Sequence, residues 1–99
     1  MARRAAKVDD NQDEVVSAFR SLGYSVAITS MCGDGFSDLV VGKHERNYLI
    51  EVKDGNKPPS RRKLTKEQEK FKAKWRGQYD VVTSVEDVLK WHEEGAGQE

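Results

Sequence analysis

Asp38, Glu51 and Lys53 are the residues whose types and spacing best suit chemistry. Two short apolar runs, 38–41 and 48–53, each carry an acid, and the second adds a lysine two positions on. Side chains at i and i+2 of a strand share a face, so Glu51 and Lys53 project together while Ile50 and Val52 turn the other way. If the two runs pair as a hairpin, Asp38 reaches the same spot. Two carboxylates and an ammonium at a strand end suit a Mg²⁺ site for phosphodiester cleavage. The competing structural view makes Asp38 a turn acid and Glu51–Lys53 an exposed same-face ion pair, worth under ~1 kcal/mol.

Two further polar residues face the same choice. Glu14 lies three positions after Asn11 and Gln68 three after Thr65, the spacing of a capping box. As functional groups, Glu14 would reach over as a metal or water ligand. Gln68 would contact the cleaved strand or a metal-bound water. His44 and His92 have no partners at metal or triad spacing, and fit a turn and a packing role respectively.

Elements able to position these groups follow from periodicity. Val15, Val16, Phe19 and Leu22 recur at helical spacing over 12–22, with Asn11 as N-cap and Gly23 as stop. Alternation at Tyr24, Val26 and Ile28 predicts a strand over 24–29. Strands follow over 36–41 and 48–53, joined by a polar loop starting at Gly42. Gly55, Pro58 and Pro59 make 54–63 a loop. Thr65 then caps a helix running to Trp75, with Phe71 and Trp75 on its inner, core-facing side and Gly77 beyond. A short strand over 79–83 leads to a last helix, capped by Ser84, with Val85, Val88, Leu89 and His92 along one side and Gly95 at its end. The order is αβββαβα, an α/β fold with a sheet flanked by helices.

The chain has 99 residues, of which 36% are hydrophobic and 34% charged, enough for one domain with a small core. Residues 9–94 form that domain, with 1–8 as a basic flexible arm and 95–99 as a disordered tail. A lone cysteine, Cys32, excludes an internal disulfide framework and reads as a small buried or half-buried residue. No apolar run approaches the ~18 residues of a membrane span, and the basic start lacks the apolar stretch of a signal peptide. A cytoplasmic, reducing setting is therefore expected.

The formal net charge is zero, but it is unevenly spread. Lys57, Arg61, Arg62, Lys63, Lys66, Lys70, Lys72, Lys74 and Arg76 face only Glu67 and Glu69 within 57–76, whereas 80–99 is acidic. Phosphate responds to the local patch, so Lys57, Arg61, Arg62, Lys63, Lys66 and Lys70 are candidate nucleic-acid contacts.

With Asp38, Glu51-Val52-Lys53, the run 64–68 and Trp75-Arg76-Gly77, the chain resembles the PD-(D/E)XK nucleases. It looks most like their small VRR-NUC branch, which includes stand-alone phage-type members similar to Holliday-junction resolvases. The resemblance spans roughly 10–90 and implies an αβββαβ core. It places the family's helix-one acid on Glu14, its strand acid on Asp38, its Glu-x-Lys on Glu51 and Lys53, and its helix glutamine on Gln68. The family's usual proline before the strand acid is Ser37 here. The resemblance implies cleavage of DNA dependent on Mg²⁺ or Mn²⁺, the ion being held by Asp38, Glu51 and the Val52 carbonyl, with Glu14 as a further candidate. It also implies a homodimer in a bacterial or phage-infected cell. The alternatives are a non-catalytic nucleic-acid-binding module on the same fold, and a protein-binding adaptor using the acidic last helix. Neither accounts for the acids and lysine of 38–53.

Overall fold

The computed structural model describes residues 8–95. The arm expected over 1–8 and the tail expected over 95–99 lie outside them, save Val8 and Gly95. The order is α1 (Gln12–Ser21), β1 (Ser25–Ile28), β2 (Leu39–Lys43), β3 (Arg46–Val52), α2 (Lys66–Lys74), β4 (Asp80–Val82) and α3 (Val85–Glu93). Short 3-10 turns at Ser30–Cys32 and Pro59–Arg61 interrupt the two long loops.

The four strands form one mixed sheet in the order β1-β2-β3-β4. β1, β2 and β3 are antiparallel neighbours, while β4 runs parallel to β3. A parallel partner requires a crossover, and the chain between β3 and β4 supplies it through α2. Gln78 prepares the pairing, since its side-chain amide accepts from Leu49 N and donates to Leu49 O. It occupies a backbone position beside β3 before β4 begins at Asp80.

One face of the sheet carries the core. Leu39, Val41, Ile50, Val52 and Val82 are buried against Val15, Val16 and Phe19 of α1 and Val88 of α3. Tyr24 and Trp91 complete this layer, each packing edge-on against Phe19 at 5.5 Å between ring centroids. The opposite face carries Val40, Leu49 and Glu51, and α2 lies over it.

Several sequence expectations are corrected in detail. Asn11 does not cap α1. Its amide is turned inward and donates to Lys53 O and Thr83 O, pinning the helix start to the ends of β3 and β4. The polar hairpin loop shrinks to His44 and Glu45, because the ladder runs out to Lys43 opposite Arg46. Ile28, at the end of an edge strand, is exposed, and so is Leu89. Cys32 is exposed as well, because it sits in the 3-10 turn outside the sheet. Trp75 is exposed and no residue of α2 is buried, so this helix covers the sheet without entering the core.

Candidate active site

The hairpin register decides the geometry. Leu39 pairs with Ile50, so one step beyond the end of β2 Asp38 stands opposite Glu51, and both side chains leave the face opposite the core. Asp38 is fixed by its neighbours. Its carbonyl accepts from Thr29 N, and its carboxylate accepts from Val52 N at 2.9 Å. Ser37 is buried and donates its hydroxyl to Leu39 O, closing the turn into the strand. Gly35 lets this loop pass under α2: a Cβ there would lie 2.3 Å from Glu67 O.

Glu51 is 1% exposed and Lys53 is 8% exposed. The exposed same-face ion pair is thus replaced by buried ionisable groups, which persist only with partners. Glu51 accepts from Gln68 Nε2 at 2.6 Å and from the Tyr79 hydroxyl at 3.4 Å. Lys53 Nζ lies 3.6 Å from Glu51 and donates to Gln68 Oε1 at 2.9 Å. Gln68 also closes the capping box with Thr65, so the capping role expected of it is present alongside its contacts to Glu51 and Lys53.

Asp38 and Glu51 approach within hydrogen-bonding reach of each other. Burial, and then the Asp38 charge, pushes Glu51 up to about 8, against the opposing pull of Lys53. Burial also raises Asp38, offset by the Val52 N–H. Burial and the Glu51 charge raise Tyr79 as well, so its phenol stays a donor. Two acids crowded in this way hold a proton between them near neutrality, or a cation in its place. Hard oxygen donors of this kind suit Mg²⁺ or Mn²⁺. Val52 offers a third donor: in a strand a residue's C=O points to the same side as its N–H, and that N–H faces Asp38.

The group opens into a hollow of about 420 Å³ whose wall includes Asp38, Glu51, Lys53, Gln68, Lys57, Arg61 and Lys63. Three of the six candidate phosphate contacts, Lys57, Arg61 and Lys63, therefore share its rim. Arg62 and Lys66 are exposed outside it, and Lys70 lines a separate hollow. Lys57 is held at 3.2 Å from Asp10 across the opening.

Glu14 is not brought to this site. It is exposed and lines another hollow with Asn11, Asp54 and Thr83. The acid that looks into the site from the approach to α1 is Asp9, half-buried on the same wall. Burial raises its carboxyl, with Lys53 pulling it down and Asp38 pushing it up. Among the described residues no three Asp, Glu, His or Cys side chains are close enough to hold an ion together, so Asp9 stands off from the pair. Asp9 and Tyr79 were missed in the sequence. Asp9 sits in the run Asp9-Asp10-Asn11, which looks like an ordinary helix start, and Tyr79 looks like a strand aromatic.

Fold and site define an α/β protein in which a four-stranded mixed sheet, flanked by helices, carries a buried glutamate faced by a half-buried aspartate, with a buried lysine beside them. No protein-family model matches the chain, and neither a curated protein nor a solved structure matches it. No helix among the described residues is long and apolar enough to cross a membrane.

Proposed function

We propose that the chain is a divalent-metal-dependent DNA endonuclease with a PD-(D/E)XK core of the VRR-NUC type. The observation that carries the reading is buried Glu51 facing half-buried Asp38 beside Lys53, at the floor of a hollow rimmed by basic side chains. Binding phosphate alone gives no reason to set two acids there, since they repel it.

Asp38, Glu51 and the Val52 carbonyl would hold Mg²⁺ or Mn²⁺, the rest of its shell being water and phosphate oxygen. Such an ion supplies Lewis acidity toward a phosphodiester and lowers the pKa of a bound water. Gln68 and Tyr79 together fix Glu51, each donating to one of its carboxylate oxygens. Lys53, held by Gln68, sets a positive charge where negative charge grows on phosphorus as water adds and a bridging P–O bond breaks. Lys57, Arg61 and Lys63 hold flanking phosphates without reading bases.

A domain of this size offers little surface to grip branched DNA. A two-fold homodimer would present two such sites to two strands, in the manner of a junction resolvase. The test is cleavage of single-stranded, duplex, flap and four-way DNA with Mg²⁺ or Mn²⁺, alongside Glu51→Gln. The expected result is cation-dependent cutting by the native chain only. Equal cutting by Glu51→Gln, or none by either on any substrate, would sink the reading. Sedimentation with and without four-way DNA tests the dimer. A monomer in both conditions would remove the resolvase reading and leave the nuclease standing.

A further inference from the structure

The far end of α2 carries an aromatic surface that the cleavage chemistry does not use. Phe71 turns inward, meeting Phe36 and Tyr79 at 5.6 Å between ring centroids. Trp75, one turn on, is 42% exposed and lies on Phe71 with centroids 5.2 Å apart and planes within 19°. An exposed tryptophan is ordinarily free to change rotamer, but this one is fixed. Its indole N–H donates to Gln78 O at 3.0 Å. The ring also lies across Gly77, where a Cβ would come within 2.8 Å of the indole nitrogen. Gln78 in turn is tied to Leu49 and Asp80, so the indole is braced against the sheet.

Lys70 and Lys74 flank the two rings in a shallow hollow of about 440 Å³. They are four residues apart and form one ridge along the helix. Asp34 and Glu67 line the same hollow, so a polyanion fits along the lysine ridge and not over the whole rim. Gln68, which contacts Glu51, and Trp75 stand roughly 10 Å apart along the helix axis at 1.5 Å per residue. A single strand passing over Lys53 and Gln68 can therefore reach the rings.

We propose that the Trp75–Phe71 shelf is a subsite that stacks on an unpaired nucleobase, with Lys70 and Lys74 on the adjoining phosphates; the proposal rests on the nuclease reading for its strand. A fixed aromatic face beside cations is the usual platform for single-stranded nucleic acid, and it tolerates any base because every base has a π-face. Bases held in a duplex cannot use it. The shelf would thus favour substrates with unpaired nucleotides near the cut, such as flaps or opened junctions.

The test titrates the full chain, in chelator to prevent cutting, with oligo(dT) and with a blunt duplex of equal length, following tryptophan fluorescence. Oligo(dT) is expected to quench the emission. Trp75→Phe should abolish that quench and keep affinity within about threefold, since phenylalanine still stacks. Trp75→Ala should weaken oligo(dT) binding by about tenfold or more and duplex binding by less than about threefold. Saturation with oligo(dT) that leaves the emission unchanged overturns the proposal. Equal weakening of single strand and duplex in Trp75→Ala, with Trp75→Phe weakened alike, also overturns it. The two readings fail separately. Cutting with no quench removes the shelf and keeps the nuclease, whereas a quench with no cutting under Mg²⁺ or Mn²⁺ does the reverse.

Discussion

Gln68 donates its side-chain amide to Glu51 across 2.6 Å. The same side chain accepts from Thr65 N at the start of α2 and from Lys53 Nζ. One residue therefore joins the helix cap to the carboxylate pair and fixes the first turn of α2 at the site.

Two substitutions separate those roles. Thr65→Ala removes the capping hydroxyl and should cost about 1 kcal/mol, a fall in Tm of roughly 4–8 °C. Cleavage by this variant should stay within a few-fold of native. Gln68→Ala keeps the Thr65 hydroxyl bond but loses the return bond from Thr65 N and leaves Glu51 and Lys53 without their shared partner, so its turnover should fall by about tenfold or more. Thermal melts and single-turnover cleavage read both. Equal loss of activity in the two variants would show that Gln68 acts through the helix alone.

Stability should depend on pH in a direction set by Glu51. Its carboxyl titrates at about 8 in the fold and near 4.5 when free, so between those values the folded chain binds more protons than the unfolded one. Stability is then full below the lower value and declines as pH rises through the upper one. Asp38 and Asp9 are displaced in the same direction and add to the slope. In chelator, Tm should fall from about pH 5 to about pH 8. Glu51→Gln keeps the shape, removes the titration and should flatten the profile. Mn²⁺ should raise Tm of the native chain near pH 8 and leave that of Glu51→Gln almost unmoved. A native profile that rises across this window would contradict the raised carboxyl of buried Glu51.

DNA affinity should be steeply salt-dependent and carried by the rim. Reversing Lys57, Arg61 and Lys63 to Glu should weaken binding to all sequences alike. Each lost phosphate contact should lower the slope of log K against log salt by about one. Reversing Arg62 and Lys66, which lie outside the hollow, should do less. Fluorescence anisotropy across a salt series is the measurement. Sequence-selective loss, or affinity indifferent to salt, would remove phosphate contact as the role of the rim.

The order of elements was legible because each carries its own period: the 3.6 spacing of Val15, Val16 and Phe19, and the alternation of Leu39, Val41, Ile50 and Val52. The opposition of Asp38 and Glu51 was legible too, since a hairpin's register brings it about once the two strands are identified. Which acid near α1 lies on the wall of the site was not. Glu14 and Asp9 differ only in how the chain enters α1, and that is set by Asn11, whose amide turns away from the cap to bond Lys53 O and Thr83 O. No local pattern reports a bond between residues so far apart in sequence. Trp75 misled for a related reason: its spacing from Phe71 is that of a buried stripe, yet α2 lies on the site and not in the core.

The hairpin tip offers a test of stability remote from the site. His44 and Glu45 form the two-residue link between Lys43 and Arg46, and both have positive φ, 54° and 64°. Two left-handed residues in succession are what a type I′ turn requires, and that turn matches the twist of the strands it joins. Histidine and glutamate are poor choices there, because a Cβ crowds the following carbonyl at a cost of about 1–2 kcal/mol per residue. Asparagine tolerates the conformation and glycine meets no such clash. His44→Asn with Glu45→Gly should therefore stabilise the chain by about 1 kcal/mol or more, the gain being reduced by the extra freedom that glycine gives the unfolded state. Asp38 and Glu51 lie at the other end of the same two strands, so cleavage and metal response should not change. Chemical denaturation with an unchanged m-value, alongside cleavage rates, checks both halves. A loss of stability would mean that the His44 or Glu45 side chain supports the tip by contacts outweighing its backbone strain.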